Sequence, residues 1–221
     1  MGRDTPSIIY GGQEDYRRLY YSDPAAARKA QISIMAGYGV LKMGTAMAKN
    51  GSAAGSIGKL MPYDPSANTG AEIAPARAFL VQSTGGATND LYVTIADSYK
   101  FAVDDDVYIN DNVTTLEQLG AITAIDRTTY SHMAKITVTV AASGTSFTTA
   151  RFAYLAVQGG DTSVGILEKS VDTGEGADAQ GALATLILGN AMLYTGMLTN
   201  FDDAAIADLG SSSFGQYTEL K

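Results

Sequence analysis

The chain contains no cysteine. That absence excludes disulfide staples, thiolate metal sites and cysteine nucleophiles, and it leaves the redox compartment open. Histidine occurs once, at His132. A two-histidine metal site is therefore impossible, and a Ser-His-Asp triad would have to be built around that residue, between Ser131 and Met133. No Gly-x-Ser-x-Gly elbow is present, so His132 reads as an ordinary turn or surface histidine. Tryptophan is also missing. Carboxylate pairs for sugar chemistry can assemble from distant positions, but the aromatic platform that a sugar site usually wants is depleted. Charge is sparse and its balance acidic: 17% of residues are charged, with Asp+Glu 23 against Lys+Arg 15, for a net charge of -8. Such a surface repels phosphate backbones and anionic lipid, which argues against direct nucleic-acid or membrane partners. No apolar run approaches the roughly 18 to 20 residues of a membrane span. The first residues lack a basic-then-apolar signal pattern, so the expectation is a soluble protein made in the cytoplasm.

What the 221 residues do contain is 46% hydrophobic side chains, enough for a real core. Gly, Ala, Ser and Thr are abundant, a mixture that favours short strands and tight turns over long charged helices. The expected fold class is mainly β, and no cofactor is implied.

Residues 1–30 differ from the rest. Thr5-Pro6-Ser7-Ile8-Ile9-Tyr10 is a short β-prone run closed by Gly11-Gly12, followed by Tyr16-Arg17-Arg18-Leu19-Tyr20-Tyr21. Ile8, Ile9 and four tyrosines are costly to leave in water, so the segment reads as an arm that orders on a partner. The candidate binding residues are Thr5, Pro6, Ser7, Ile8, Ile9, Tyr10, Arg17, Arg18, Tyr20 and Tyr21.

Residues 31–78 and 159–221 read as one discontinuous unit, and 79–158 as a second unit inserted between them. In the first, Gln31 to Met35 and Tyr38 to Lys49 suggest strands bent at glycines, and Lys59 to Pro65 a short edge strand ended by prolines. In the insert, Leu91-Tyr92-Val93-Thr94-Ile95, Val107-Tyr108-Ile109, Gly120 to Ile125, Lys135 to Val140 and Phe152 to Val157 are β-branched and mostly alternate. Five short strands at that spacing predict a small β-barrel or sandwich. Beyond 159, Val164 to Leu167 reads as a strand, as does Ala182 to Leu188, which Gly189-Asn190 turns into a hairpin with Ala191 to Tyr194. Asp202 to Leu209 reads as a short helix with acidic residues in its first turn and Gly210 at its stop.

Ala53-Ala54-Gly55-Ser56-Ile57-Gly58-Lys59-Leu60 misses two positions of a phosphate loop: Ala53 stands where glycine is needed and Leu60 where a hydroxyl is needed. Asp104-Asp105-Asp106 with Asn110 and Asp111 invites a calcium reading. Ile109 occupies the sixth position, where an EF-hand loop has glycine, and Thr115 the twelfth, where it has glutamate, so a polar turn fits better.

Four segments, in order, resemble the lambda-type head decoration (capsid cement) proteins of tailed phages. These are AGYGVLKMGTAMAK at 36–49, GKLMPYDPSANTG at 58–70, SVGILEKSVDT at 163–173 and ALATLILGNAMLY at 182–194. The departure from that family's compact pattern is the stretch of about ninety residues between Gly70 and Val164, which reads as an insertion at a surface loop. The resemblance implies a mixed-β core and residence on the outer surface of the expanded capsid. It also implies contact with the major capsid protein, self-association as a homo-trimer or, less favoured, a homo-dimer, and no catalysis. It implies further that the N-terminal arm adds a strand to the major capsid protein, for which Thr5 to Tyr10 is the matching position here. Two other classes compete with it: a head-fibre-like protein whose inserted domain binds carbohydrate or a host surface, and a virion-associated enzyme built on a spatial carboxylate pair.

Overall fold

The computed structural model describes residues 19–21, 23–51, 58–65, 74–143 and 147–211. Strands β1 (Arg28–Ile34), β2 (Val40–Leu41), β3 (Ala46–Lys49) and β4 (Leu60–Pro62) come first. They are followed by β5 (Ala78–Phe79), β6 (Thr88–Thr94), a one-turn helix α1 (Ile95–Ser98), β7 (Asp106–Asn110), β8 (Leu116–Asp126), β9 (Met133–Ala142) and β10 (Tyr154–Val157). The chain then makes β11 (Ser163–Leu167), β12 (Val171–Asp172), β13 (Ala182–Gly189) and helix α2 (Asp203–Ser211). The fold is mainly β with a short C-terminal helix.

Five strands close a barrel in the order β1-β13-β11-β3-β4. Its neighbours are antiparallel except at the closing seam, where Ile34 of β1 meets Leu60 of β4 in a single parallel pair. Strand β11 lies so close to β13 that a Cβ at Gly165 would stand 2.7 Å from the Ile187 carbonyl oxygen. Only glycine fits at that point, which gives the Val-Gly-Ile-Leu run a packing reason.

Six further strands form a second sheet in the order β5-β10-β7-β8-β9-β6. Its first and last strands approach each other just beyond β5, where Leu80 bridges Val93 and the Val81 amide donates to Tyr92 O at 2.9 Å. The sheet is thus nearly closed as well. Alternation along β6 explains its two faces: Leu91 and Val93 are buried, and Tyr92 and Thr94 are not. Thr94 then stops the strand by accepting the Asp97 amide at 3.0 Å, an N-cap for α1. β2 and β12 pair in a separate two-stranded ribbon.

The two sheets share one continuous apolar core. Between them, Asp64 and Arg77 form a buried ion pair at 2.6 Å. Tyr108 of β7 and Tyr154 of β10 donate to the other oxygen of Asp64 at 2.8 and 2.9 Å. A Cβ at Gly37 would lie 2.6 Å from the Tyr99 carbonyl, so the loop after β1 also touches the turn after α1.

Several sequence expectations need correction. Lys59 to Pro65 is not an edge strand: the strand there is Leu60–Pro62, a buried member of the closed barrel paired with β3 and touching β1. Ala191 to Tyr194 does not fold back on β13, because β1 and β11 already flank that strand. Leu193 bridges Tyr20 instead. Ile95 begins α1 rather than ending β6, and Phe152 precedes β10 in a left-handed conformation. α2 begins where the acidic first turn pointed, with Asp202 Oδ1 accepting the Ala205 amide at 2.8 Å, and it runs one residue beyond Gly210.

Candidate functional site

The N-terminal segment enters the described structure at Leu19, which is fully buried. Residues 19–21 run antiparallel beside 192–194. The Tyr21 amide donates to Met192 O at 2.8 Å, and the Tyr194 amide donates to Leu19 O at 3.1 Å. Consecutive residues of an extended segment face opposite ways. Tyr20 accordingly points inward and is 5% exposed, whereas Tyr21 is 52% exposed. The Tyr21 ring meets the Tyr194 ring edge-on at 5.7 Å between centroids.

Tyr20 is held by charge as well as by packing. Its hydroxyl donates to Glu168 Oε1 at 2.7 Å. Lys29 pairs with the same carboxylate oxygen, and its ammonium stands 5.1 Å from the Tyr20 ring centroid. Glu168 directly follows β11, Lys29 lies in β1, and β13 runs between those strands. The buried carboxylate therefore fastens the root of the segment across the barrel wall. A buried charge is tolerated only when it is paired and hydrogen-bonded, and Glu168 is both.

Of the ten candidate binding residues, Tyr20 and Tyr21 belong to this root. Thr5, Pro6, Ser7, Ile8, Ile9, Tyr10, Arg17 and Arg18 lie outside the described residues. Sequence reading missed Lys29, Glu168 and Leu193. Nothing in the local pattern flags Glu168, whose partner Tyr20 is 148 positions away.

Asp105 and Asp111, on either side of the body of β7, are committed to turns. Asp105 accepts the Ala102 amide at 2.9 Å and the Asn50 side-chain amide at 3.2 Å. Asp111 accepts the amides of Val113, Thr114 and Thr115 through one oxygen and Arg151 through the other. Burial pushes the Asp111 carboxyl pKa up, but these donors outweigh it and bring it down to about 2. Among the described residues no group of three or more His, Asp or Glu could hold a metal ion. His132 is exposed in the turn between β8 and β9, with Nδ1 3.0 Å from Ser131 Oγ. Of the loop that resembles a phosphate loop, residues 53–57 lie outside the described residues, and Leu60 is a buried β4 residue.

The seam between the sheets is polar but chemically quiet. Burial, then the charge of Asp64, pushes the hydroxyls of Tyr108 and Tyr154 well above the ordinary tyrosine range. They stay protonated donors. Arg77 also donates to Pro65 O at 2.9 Å and stacks 4.4 Å over the Tyr154 ring. Beside this seam is a hollow of about 260 Å³ bordered by Tyr38, Ala96, Lys100 and Glu175. The Lys100 ammonium there donates to Asp97 at 2.6 Å and to Arg77 O at 2.8 Å. The Asp64 contacts to Tyr108 and Tyr154 fix one sheet against the other.

No protein-family model, curated protein or solved structure matches the chain.

Proposed function

We propose that this chain is a non-enzymatic head decoration protein. It binds the outer surface of an expanded tailed-phage capsid and cements the lattice of the major capsid protein against the pressure of packaged DNA. The four ordered segments that resemble that family supply the word capsid. The structural observation that supports the reading most is the fastened root at Leu19 to Tyr21. A segment that grips a partner transmits force only if its base is tied to a rigid body, and here the base is tied by main-chain pairing, burial and the Tyr20–Glu168–Lys29 contacts.

The mechanism is mass action. A protein that binds several capsid subunits only in their mature arrangement stabilises that arrangement by its binding free energy. Association into homo-trimers or homo-dimers lets weak contacts act together. Residues Thr5 to Tyr10 would add a strand to the capsid protein, with main-chain hydrogen bonds giving affinity and Ile8, Ile9 and Tyr10 filling pockets. The net charge of -8 suits a site outside the shell, away from the nucleic acid.

The test is binding of purified protein to expanded capsids that lack it. Deletion of residues 2–18 should abolish or greatly weaken binding while the fold remains. The deletion stops at Arg18 because Leu19 and Tyr20 belong to the core. Unchanged affinity would sink the arm, and no binding by the intact chain would sink the cement reading.

A further inference from the structure

Asn50 and Gly51 are the only Asn-Gly pair in the chain. In such a pair the glycine nitrogen has no side chain beside it and can reach the carbon of the asparagine amide. The nitrogen gives up its proton and bonds Cγ, the bond from Cγ to the amide nitrogen breaks, and ammonia leaves with a proton taken from water. Water then opens the resulting cyclic imide to aspartate, or to an isoaspartate whose backbone runs through the side chain. Either way a neutral amide becomes a carboxylate.

The fold holds both reacting groups. Asn50 directly follows β3 and is 1% exposed. Its side-chain amide donates to Asp105 Oδ1 at 3.2 Å and to Met35 Sδ at 3.5 Å. The Gly51 nitrogen, which would attack, donates instead to Gln158 O at 3.2 Å. The Asn50 amide donates to Lys59 O at 2.9 Å, and its carbonyl accepts the Gly58 amide at 3.1 Å. Asp105 directly precedes β7 and Gln158 directly follows β10, both strands of the six-stranded sheet, whereas β3 belongs to the barrel. The two sheets are pressed together here: a Cβ at Gly159 would stand 2.6 Å from Lys49 O. The contacts that hold the amide and the attacking nitrogen therefore cross the junction, and they release when the sheets part.

The product does not fit the closed junction. An aspartate at position 50 sets its carboxylate against that of Asp105, which is itself 1% exposed. Two buried carboxylates in contact cannot both stay ionised without a large cost, and the donor that Asp105 accepted from is gone. An isoaspartate lengthens the backbone at the point where Asn50 pairs with Lys59 and Gly58.

We infer that Asn50 is a latent deamidation site, silent while the barrel and the six-stranded sheet are joined and reactive when they separate. The step is irreversible, so a copy that has stood open is marked chemically and hindered from closing again. The junction thus works as a latch that can be lost but not reset. The inference goes beyond capsid binding and does not require it.

The full chain is incubated at mildly alkaline pH with and without guanidinium chloride, and the peptide that holds residue 50 is followed by mass spectrometry. The unfolded protein should convert Asn50 at least about tenfold faster than the folded one. Arg77→Met, which loosens the same junction at its buried ion pair, should convert faster than the parent without denaturant. Asn50→Asp should lower Tm by about 5 °C or more. Asn50→Asp combined with Asp105→Asn should recover most of that shift. The asparagine introduced at position 105 can donate to the new carboxylate and still accept the Ala102 amide, as Asp105 does at 2.9 Å. Equal conversion with and without denaturant, or an unchanged rate in Arg77→Met, overturns the gating by the junction. An unchanged Tm in Asn50→Asp, or no recovery in the double variant, overturns the latch.

Discussion

The guanidinium of Arg77 lies 2.6 Å from Oδ1 of Asp64, with both side chains buried where the closed barrel meets the six-stranded sheet. Removing one partner strands the other. Arg77→Met should destabilise the protein by about 3–5 kcal/mol, read from the urea midpoint. Asp64→Leu combined with Arg77→Met should recover part of that loss, because no unmatched charge then remains. Recovery stays incomplete while the hydroxyls of Tyr108 and Tyr154 lack their acceptor.

Tyr20→Phe keeps the ring and deletes the hydroxyl that bonds Glu168. A hydrogen bond to a charged acceptor contributes about 1.5–3 kcal/mol, and a loss of that order is expected in thermal or urea unfolding. Amide exchange at Tyr21 and Tyr194 should quicken, since both depend on the pairing at the root. Unchanged exchange would show that the main-chain contacts hold the root without the side-chain lock.

Asp111 sets an acid dependence with a definite sign. Its carboxyl is depressed to about 2 in the fold, against roughly 3.9 when unfolded. The stabilisation it provides is complete above pH of about 4 and is lost as pH falls towards about 2, because the unfolded chain takes up the proton first. Asp111→Asn should therefore be less stable at neutral pH and lose less stability over that acid interval. Parallel pH curves for variant and parent would refute the assignment.

Gly37 sits at φ +90° with the Tyr99 backbone where a Cβ would be. Gly37→Ala must both strain the backbone and push the α1 turn away from the barrel. A loss of more than about 1 kcal/mol is expected. Gly85→Ala serves as the control, since nothing lies within 4 Å of its Cβ position.

Strands β5 and β10 are neighbours, with Ala78 opposite Leu155. A short Gly/Ser bridge can therefore replace residues 79–158 without stretching the chain. The product should fold, with lower stability because the shared apolar core loses one side. A product without β-type circular dichroism would show that the barrel depends on the second sheet.

Local pattern made much of this fold legible. β6 to β9 were visible because β-branched residues alternate and turns of Gly, Asn, Asp and Thr separate them. α2 was visible because Asp202 and Asp203 precede an apolar face. β5 was missed because two residues, Ala78 and Phe79, are too few to carry a period. The hairpin expected at Gly189-Asn190 failed for a different reason. The turn signal was real, since both residues have positive φ. The partner of the following segment, however, was Leu19 to Tyr21, and no local rule reaches across 173 positions. A separation of 148 positions likewise hid Glu168 from the reading of Tyr20. Phe152 was misplaced because an aromatic ahead of Ala153 to Val157 resembles the first residue of a strand, and nothing local signals its left-handed backbone.

The barrel's wiring also carries a consequence for the order of folding. β1 pairs with β13, so Ile34 waits for Ala182. In the six-stranded sheet two of the pairings join sequence neighbours, β7 with β8 and β8 with β9, and the whole sheet lies within residues 78–157. Contacts between near segments form quickly, whereas distant ones must first close a long loop. During synthesis the middle of the chain can therefore reach its structure while β1 is still without its partner. The barrel therefore cannot close until β13 has been made, whereas the middle sheet has all its strands before then.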